Sequence, residues 1–117
     1  IAEIIFLENI EFMAPDLLPE ELEEHKSEIM EKSGLLEIDY KKAIMSLCAK
    51  IIFIEFDNFR KYMELANQNC PDPDDSEYFA LAIMEKCPLW SEDKKLKKQE
   101  LVEVINTKEL IMQIENR

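Results

Sequence analysis

The sequence predicts an all-α fold: a single irregular domain over residues 1–117, with six or seven helices around a central apolar helix near 40–56. Three observations predict it. The run Ala43-Ile44-Met45-Ser46-Leu47-Cys48-Ala49-Lys50-Ile51-Ile52-Phe53-Ile54-Glu55-Phe56 carries charge only at Lys50 and Glu55, and a helix that is apolar all round belongs in a core. The chain holds one Gly and no Asn-Gly or Asp-Gly pair of the kind tight hairpins use. Prolines separate helix-length segments by short loops. With 117 residues and 47% apolar content, one core suffices.

The elements are expected in this order. A first helix covers 1–13, with Ile1, Ile4, Ile5 and Phe12 on one face, and stops at Pro15 because Pro lacks an N–H. Asp16 caps a second helix running to Lys32, with Pro19 tolerated in its first turn. Leu18, Leu22 and Ile29 form a narrow stripe there with His25 between them, and Glu20, Glu21, Glu23, Glu24, Glu28 and Glu31 fill the other faces. Gly34 is the C-cap, and Asp39 caps the central helix. Apolar spacing continues through Phe59, Tyr62, Met63 and Ala66, with a break at Asp57-Asn58. The loop 69–75 is followed by a helix from Asp75 or Ser76 to Lys86, apolar at every position from Tyr78 to Met84. Pro88 stops it. Ser91 opens a helix through Ile105, and Thr107 caps a last one bearing Leu110, Ile111 and Ile114.

Net charge is −12, with twelve acids against Lys26 and Lys32 in residues 1–40 and six of each sign in residues 91–117. An acidic body repels phosphate, which excludes nucleic acid and anionic membrane surfaces as partners. No apolar run reaches the length of a membrane span. The N-terminal residues lack the basic cluster of a signal peptide. The missing initiator Met points to a trimmed or mature fragment. Cys48, Cys70 and Cys87 make an odd count without metal-ligand spacing, which fits a reducing, intracellular location, cytoplasmic or nuclear.

Chemistry-bearing constellations are scarce. His25 is the sole His, so nucleophile–His pairs and Glu-x-x-His di-iron motifs are absent. The Asp72-Pro73-Asp74-Asp75-Ser76-Glu77 loop resembles a calcium loop at first, but the sixth and twelfth positions are Glu77 and Ile83 rather than Gly and Glu. It reads as capping and solvation, with a weak divalent-ion site as the alternative. Lys94-Lys95-Leu96-Lys97-Lys98 is the one basic cluster, read as a solvated face over a contact to phosphate or an acidic partner. No Gly-rich phosphate loop exists. Catalytic residues, metal and cofactor are therefore expected to be absent, and no small-molecule substrate is expected. Trp90, next to Leu89, is either a core plug or a binding hot spot.

The segment 43–51, Ala-Ile-Met-Ser-Leu-Cys-Ala-Lys-Ile, resembles the central-helix stretch of poxviral Bcl-2-like proteins. That resemblance implies a small all-helical protein that binds host signalling partners without catalysis.

The expected function is non-enzymatic: an acidic adaptor or regulatory domain that binds another protein through a helical or basic segment. Its contact residues are Leu18, Glu20, Glu21, Leu22, Glu24, His25 and Ile29, with Leu89 and Trp90. A homodimer or assembly subunit is the alternative, a viral Bcl-2-like modulator a lower one, and a helical enzyme with a concave polar pocket another.

Overall fold

The computed structural model of the chain describes residues 11–115, and it replaces the all-α expectation with a mixed one. Phe12–Pro15 is a strand, β1, and Ile51–Ile54 is a second, β2. They pair in parallel, Phe12 opposite Ile51 and Pro15 opposite Ile54, and the Asp16 N–H donates to Ile54 O at 3.1 Å. Leu89–Trp90 (β3) and Val104–Ile105 (β4) form a separate parallel pair. Parallel strands need a long crossover, and both pairs have one. The chain falls into two compact units, Ile1–Ile54 and Glu55–Arg117.

In the first unit the crossover holds three helices: α1 (Leu18–Glu24), α2 (Lys26–Ser33) and α3 (Glu37–Ala49). The continuous second helix expected to Lys32 breaks at His25, whose φ of −99° and ψ of 11° leave the helical range. Leu17 rather than Asp16 stands at the N-cap of α1. Gly34 ends α2 in the left-handed conformation at φ 72°, as its lack of a Cβ permits. Leu36, not Asp39, precedes α3. Buried Tyr40 donates its hydroxyl to Leu22 O at 3.0 Å, and Lys26 bridges to Glu37 at 2.9 Å, so α3 is tied back to α1 and α2.

The central apolar helix near 40–56 does not exist as expected. α3 stops at Ala49, and Ile51-Ile52-Phe53-Ile54 continues as β2. β-Branched and aromatic side chains favour a pleated strand, and strands of a parallel sheet read as unbroken apolar runs. α3 is not enclosed either: Met45 is 74% exposed and Ile38 62%. The first expected helix is overturned where it is described, at Phe12 and Met13, which are strand. Ile1, Ile4 and Ile5 lie outside the described residues.

The second unit holds the larger buried cluster. α4 (Phe56–Phe59) leads through a 3-10 turn (Arg60–Tyr62) into α5 (Met63–Asn69). Asp57-Asn58 is thus inside a short helix, and the break falls earlier, at β2. A second 3-10 turn (Pro73–Asp75) opens α6 (Ser76–Glu85). α6 packs on α4, α5 and β3 and buries Ser76 and Phe79 through Ala82, as its apolar run predicts. Phe59, Ala66, Phe79 and Ala80 are fully enclosed. The helix expected from Ser91 to Ile105 is absent: β3, a 3-10 turn (Lys94–Lys97) and β4 occupy 89–105. α7 (Thr107–Glu115) closes the described chain.

Candidate metal centre

Three aspartates converge in the second unit, each just before a helical turn. Asp72 precedes the turn Pro73–Asp75, Asp75 precedes α6, and Asp93 precedes the turn Lys94–Lys97. Asp is preferred at such positions because its carboxylate accepts orphan N–H groups. Asp72 Oδ1 accepts from the Asp74 N–H at 3.0 Å, and Asp93 Oδ1 accepts from the Lys95 N–H at 3.0 Å. Asp75 accepts no such capping bond from α6.

The turn bearing Asp93 is held on several sides. Ser91 Oγ accepts the Asp93 N–H at 3.1 Å, and Leu96, 1% exposed, anchors the turn in the core. Gln99 closes the loop behind it through Leu96 O, Val102 O and the Val102 N–H. Glu92 accepts from the N–H and hydroxyl of Thr107, whose Oγ1 also accepts the Trp90 indole N–H at 3.1 Å. Asn106 and Glu109 form a reciprocal capping box at the start of α7, and Lys97 bridges to Glu109. Asn106, one residue before the expected Thr107, is therefore the cap. The Thr107 bonds hold the Glu92 carboxyl below its ordinary range, and Lys97, then the Asn106 N–H, do the same for Glu109.

One carboxylate oxygen from each of Asp72, Asp75 and Asp93 lies within 4.8 Å of the other two, and all three residues are half-buried. Three negative charges at this spacing repel by about 1 kcal/mol per pair even at the dielectric of water, and by more where water is thinned. Lys95 Nζ, 3.8 Å from Asp72 Oδ2, offsets part of that. An all-carboxylate donor set suits a hard divalent cation such as Mg2+ or Mn2+, and is a poor match for metals that favour thiolate or imidazole. The residues present fit such an ion. Cys70 stands beside the loop, its thiol directed to Asp72 O at 3.1 Å and pushed up in pKa by burial.

The residues expected to bind a partner are divided between the two units. Leu18, Glu20, Glu21, Leu22 and Glu24 lie on α1, His25 at the break, and Ile29 on α2. The break interrupts the straight stripe that Leu18, Leu22 and Ile29 were expected to form. Leu89 and Trp90 are half-buried on β3, with the indole engaged by Thr107. The spacing Asp72-x-x-Asp75 and the later Asp93 are the sequence signal for the candidate metal centre. Read one loop at a time, the 72–77 loop is accounted for by capping and solvation, and Asp93 falls inside the helix expected from Ser91 to Ile105, so neither segment points to the other.

Comparison with known families agrees with the observed architecture. The family profile described as PIN domain matches residues 1–114. No curated protein matches the chain, and no solved structure does. The PIN domain is an α/β nuclease fold whose members typically act on RNA with metal ions. The match overturns the all-α class, the non-enzymatic adaptor with its Bcl-2-like variant, and the exclusion of nucleic acid as a partner. Net charge does not set the local charge a ligand meets. At physiological salt, charges are screened beyond about 8 Å, and residues 91–117, which carry Asp93, balance six acids with six bases. With all but the last three residues of the chain inside the match, the chain belongs to the PIN domain family.

Proposed function

We propose that the chain is a divalent-metal-dependent nuclease acting on RNA, with Asp72, Asp75 and Asp93 as the metal ligands. The observation that carries this reading is the meeting of three carboxylates from two separate loops within 4.8 Å, together with membership of a family of typical nucleases. When bound, a divalent cation there supplies Lewis-acid polarisation of a phosphoryl oxygen and a nucleophilic water at neutral pH. The protein's own share is placement. The two 3-10 turns fix the Asp72 and Asp93 carboxylates through their N–H groups, and the anchored Leu96 holds the Asp93 turn in register. No His or Cys nucleophile is required by such chemistry, which fits a chain whose sole His, His25, lies in the other unit.

The test is cleavage of a labelled single-stranded RNA in Mg2+ or Mn2+. Asp72→Asn, Asp75→Asn and Asp93→Asn keep side-chain size and remove the charge. Each is expected to lower the rate by at least about 100-fold, the scale on which a lost charge-stabilising group is felt, with the fold unchanged by circular dichroism. Chelation by EDTA is expected to abolish cleavage in the wild type. Full activity in all three variants, or in EDTA, would falsify the assignment.

A further inference from the structure

The basic cluster beside the triad has no part in the metal centre itself. Lys94, Lys95, Lys97 and Lys98 are all exposed, and buried Leu96 at their centre fixes which way each one points. In a 3-10 turn, residues three apart eclipse one another. Lys94 and Lys97 therefore share one flank, and Lys95 and Lys98 the other; the Lys98 N–H, bonded to Lys95 O at 3.1 Å, continues the turn. Contacts identify the flanks. Lys97 reaches Glu109 on α7, whereas Lys95 reaches Asp72 of the triad at 3.8 Å. Among the described residues, Lys98 forms no ion pair.

We infer that Lys95 and Lys98 form a phosphate-binding ridge along the triad, which seats the backbone of a single-stranded polynucleotide against the metal centre. The inference rests on the nuclease reading for its substrate class and adds the residues that hold the strand. A phosphodiester beside three carboxylates in a chain of net charge −12 needs local cations to approach at all. These four lysines are the densest run among the chain's 14 bases, and the flank holding Lys95 and Lys98 is the one that faces the triad. Lys95 has two roles. Without substrate it offsets the charge on Asp72; with substrate and cation present, its ammonium pairs with a phosphate oxygen. Lys95 and Lys98 are positioning residues, and a compact ammonium on a flexible stem suits a non-specific phosphate contact.

The opposed roles of Lys95 give a test that loss of structure cannot imitate. Mn2+ affinity is measured by calorimetry, and affinity for a short labelled single-stranded RNA by anisotropy in Ca2+. Wild type, Lys95→Gln, Lys98→Gln and Lys97→Gln are compared. Lys95→Gln is expected to weaken RNA binding by about two- to fivefold and to lower the slope of log affinity on log salt by about 0.7. The same change tightens Mn2+ binding, because a like charge leaves the site. Lys98→Gln weakens RNA binding similarly and leaves Mn2+ binding unchanged, and Lys97→Gln changes neither. The ridge is overturned if Lys95→Gln leaves RNA affinity and salt slope unaltered, if it weakens Mn2+ and RNA together, or if the wild type binds no RNA. Lysine-dependent RNA binding without cleavage in Mg2+ or Mn2+ would support the ridge and sink the nuclease reading, so the two failures are distinct.

Discussion

Lys86 is the one described non-Gly residue with positive φ, at 54° and ψ 44°. It ends α6 in the left-handed conformation, with its N–H directed to Ile83 O at 3.3 Å. A Cβ makes that conformation costly by about 1 kcal/mol, and Gly removes the cost. Lys86→Gly is therefore expected to stabilise the protein by about 0.5–1 kcal/mol, read as a higher urea midpoint at unchanged m-value. Gly34 shows the opposite case: its φ of 72° uses the freedom a Gly provides, and the sequence announced it, because a lone Gly after a charged helix is a strong stop signal. The three aspartates announced only half of what they are. Asp72 and Asp93 each accept a backbone N–H at the start of a turn, and Asp75 accepts none from α6; their proximity comes from tertiary packing that no local pattern encodes.

At the scale of elements, the sequence misled where apolar runs were longest. Residues 43–56 contain the end of a helix, a four-residue strand and the start of another helix, and periodicity cannot separate them because a short unbroken apolar run reads equally as strand or helix. The β-branched cluster Ile51, Ile52 and Ile54 was the available correction. The Tyr78–Met84 run is legible as a helix because it is bounded on both sides, by the 71–75 prolines and aspartates and by Pro88. The segment 91–105 failed for another reason. Its charge pattern suits a helix face, yet Leu89-Trp90 and Val104-Ile105 pair in parallel and the lysines sit on a turn between them. That turn is clamped to α7 through Glu92–Thr107 and Lys97–Glu109. Both glutamates are held below the ordinary carboxylate range, Glu92 chiefly by the Thr107 hydroxyl and Glu109 chiefly by Lys97. A depressed folded pKa means that the unfolded chain takes up the proton first. The stability from these contacts is complete above the unfolded pKa and lost as pH falls through the folded one. Urea midpoints are thus expected to decline below about pH 4.5, with a shallower decline in Glu92→Gln,Glu109→Gln than in the wild type. An equal slope in both would remove these two carboxylates from the acid response.

Across the whole molecule, charge is distributed rather than merely negative. Residues 1–40 carry the acidic excess on α1, α2 and the segments around them, while residues 91–117 are balanced. Net charge describes the far field; around the acidic triad the local field is set by three carboxylates and by Lys95, 3.8 Å from Asp72. No helix among the described residues is long and apolar enough to cross a membrane. The parallel pairs, the acidic triad and the family match over 1–114 lead to one central claim: that Asp72, Asp75 and Asp93 hold one divalent ion. Substoichiometric Mn2+ tests it most directly, because its unpaired electrons broaden the amide NMR signals nearest to it. The account predicts that signals of residues 72–76 and 91–95 fade together and first, and that Asp93→Asn abolishes the effect in both loops. Fading that begins instead among the glutamates of α1, or that spares either loop, would contradict it.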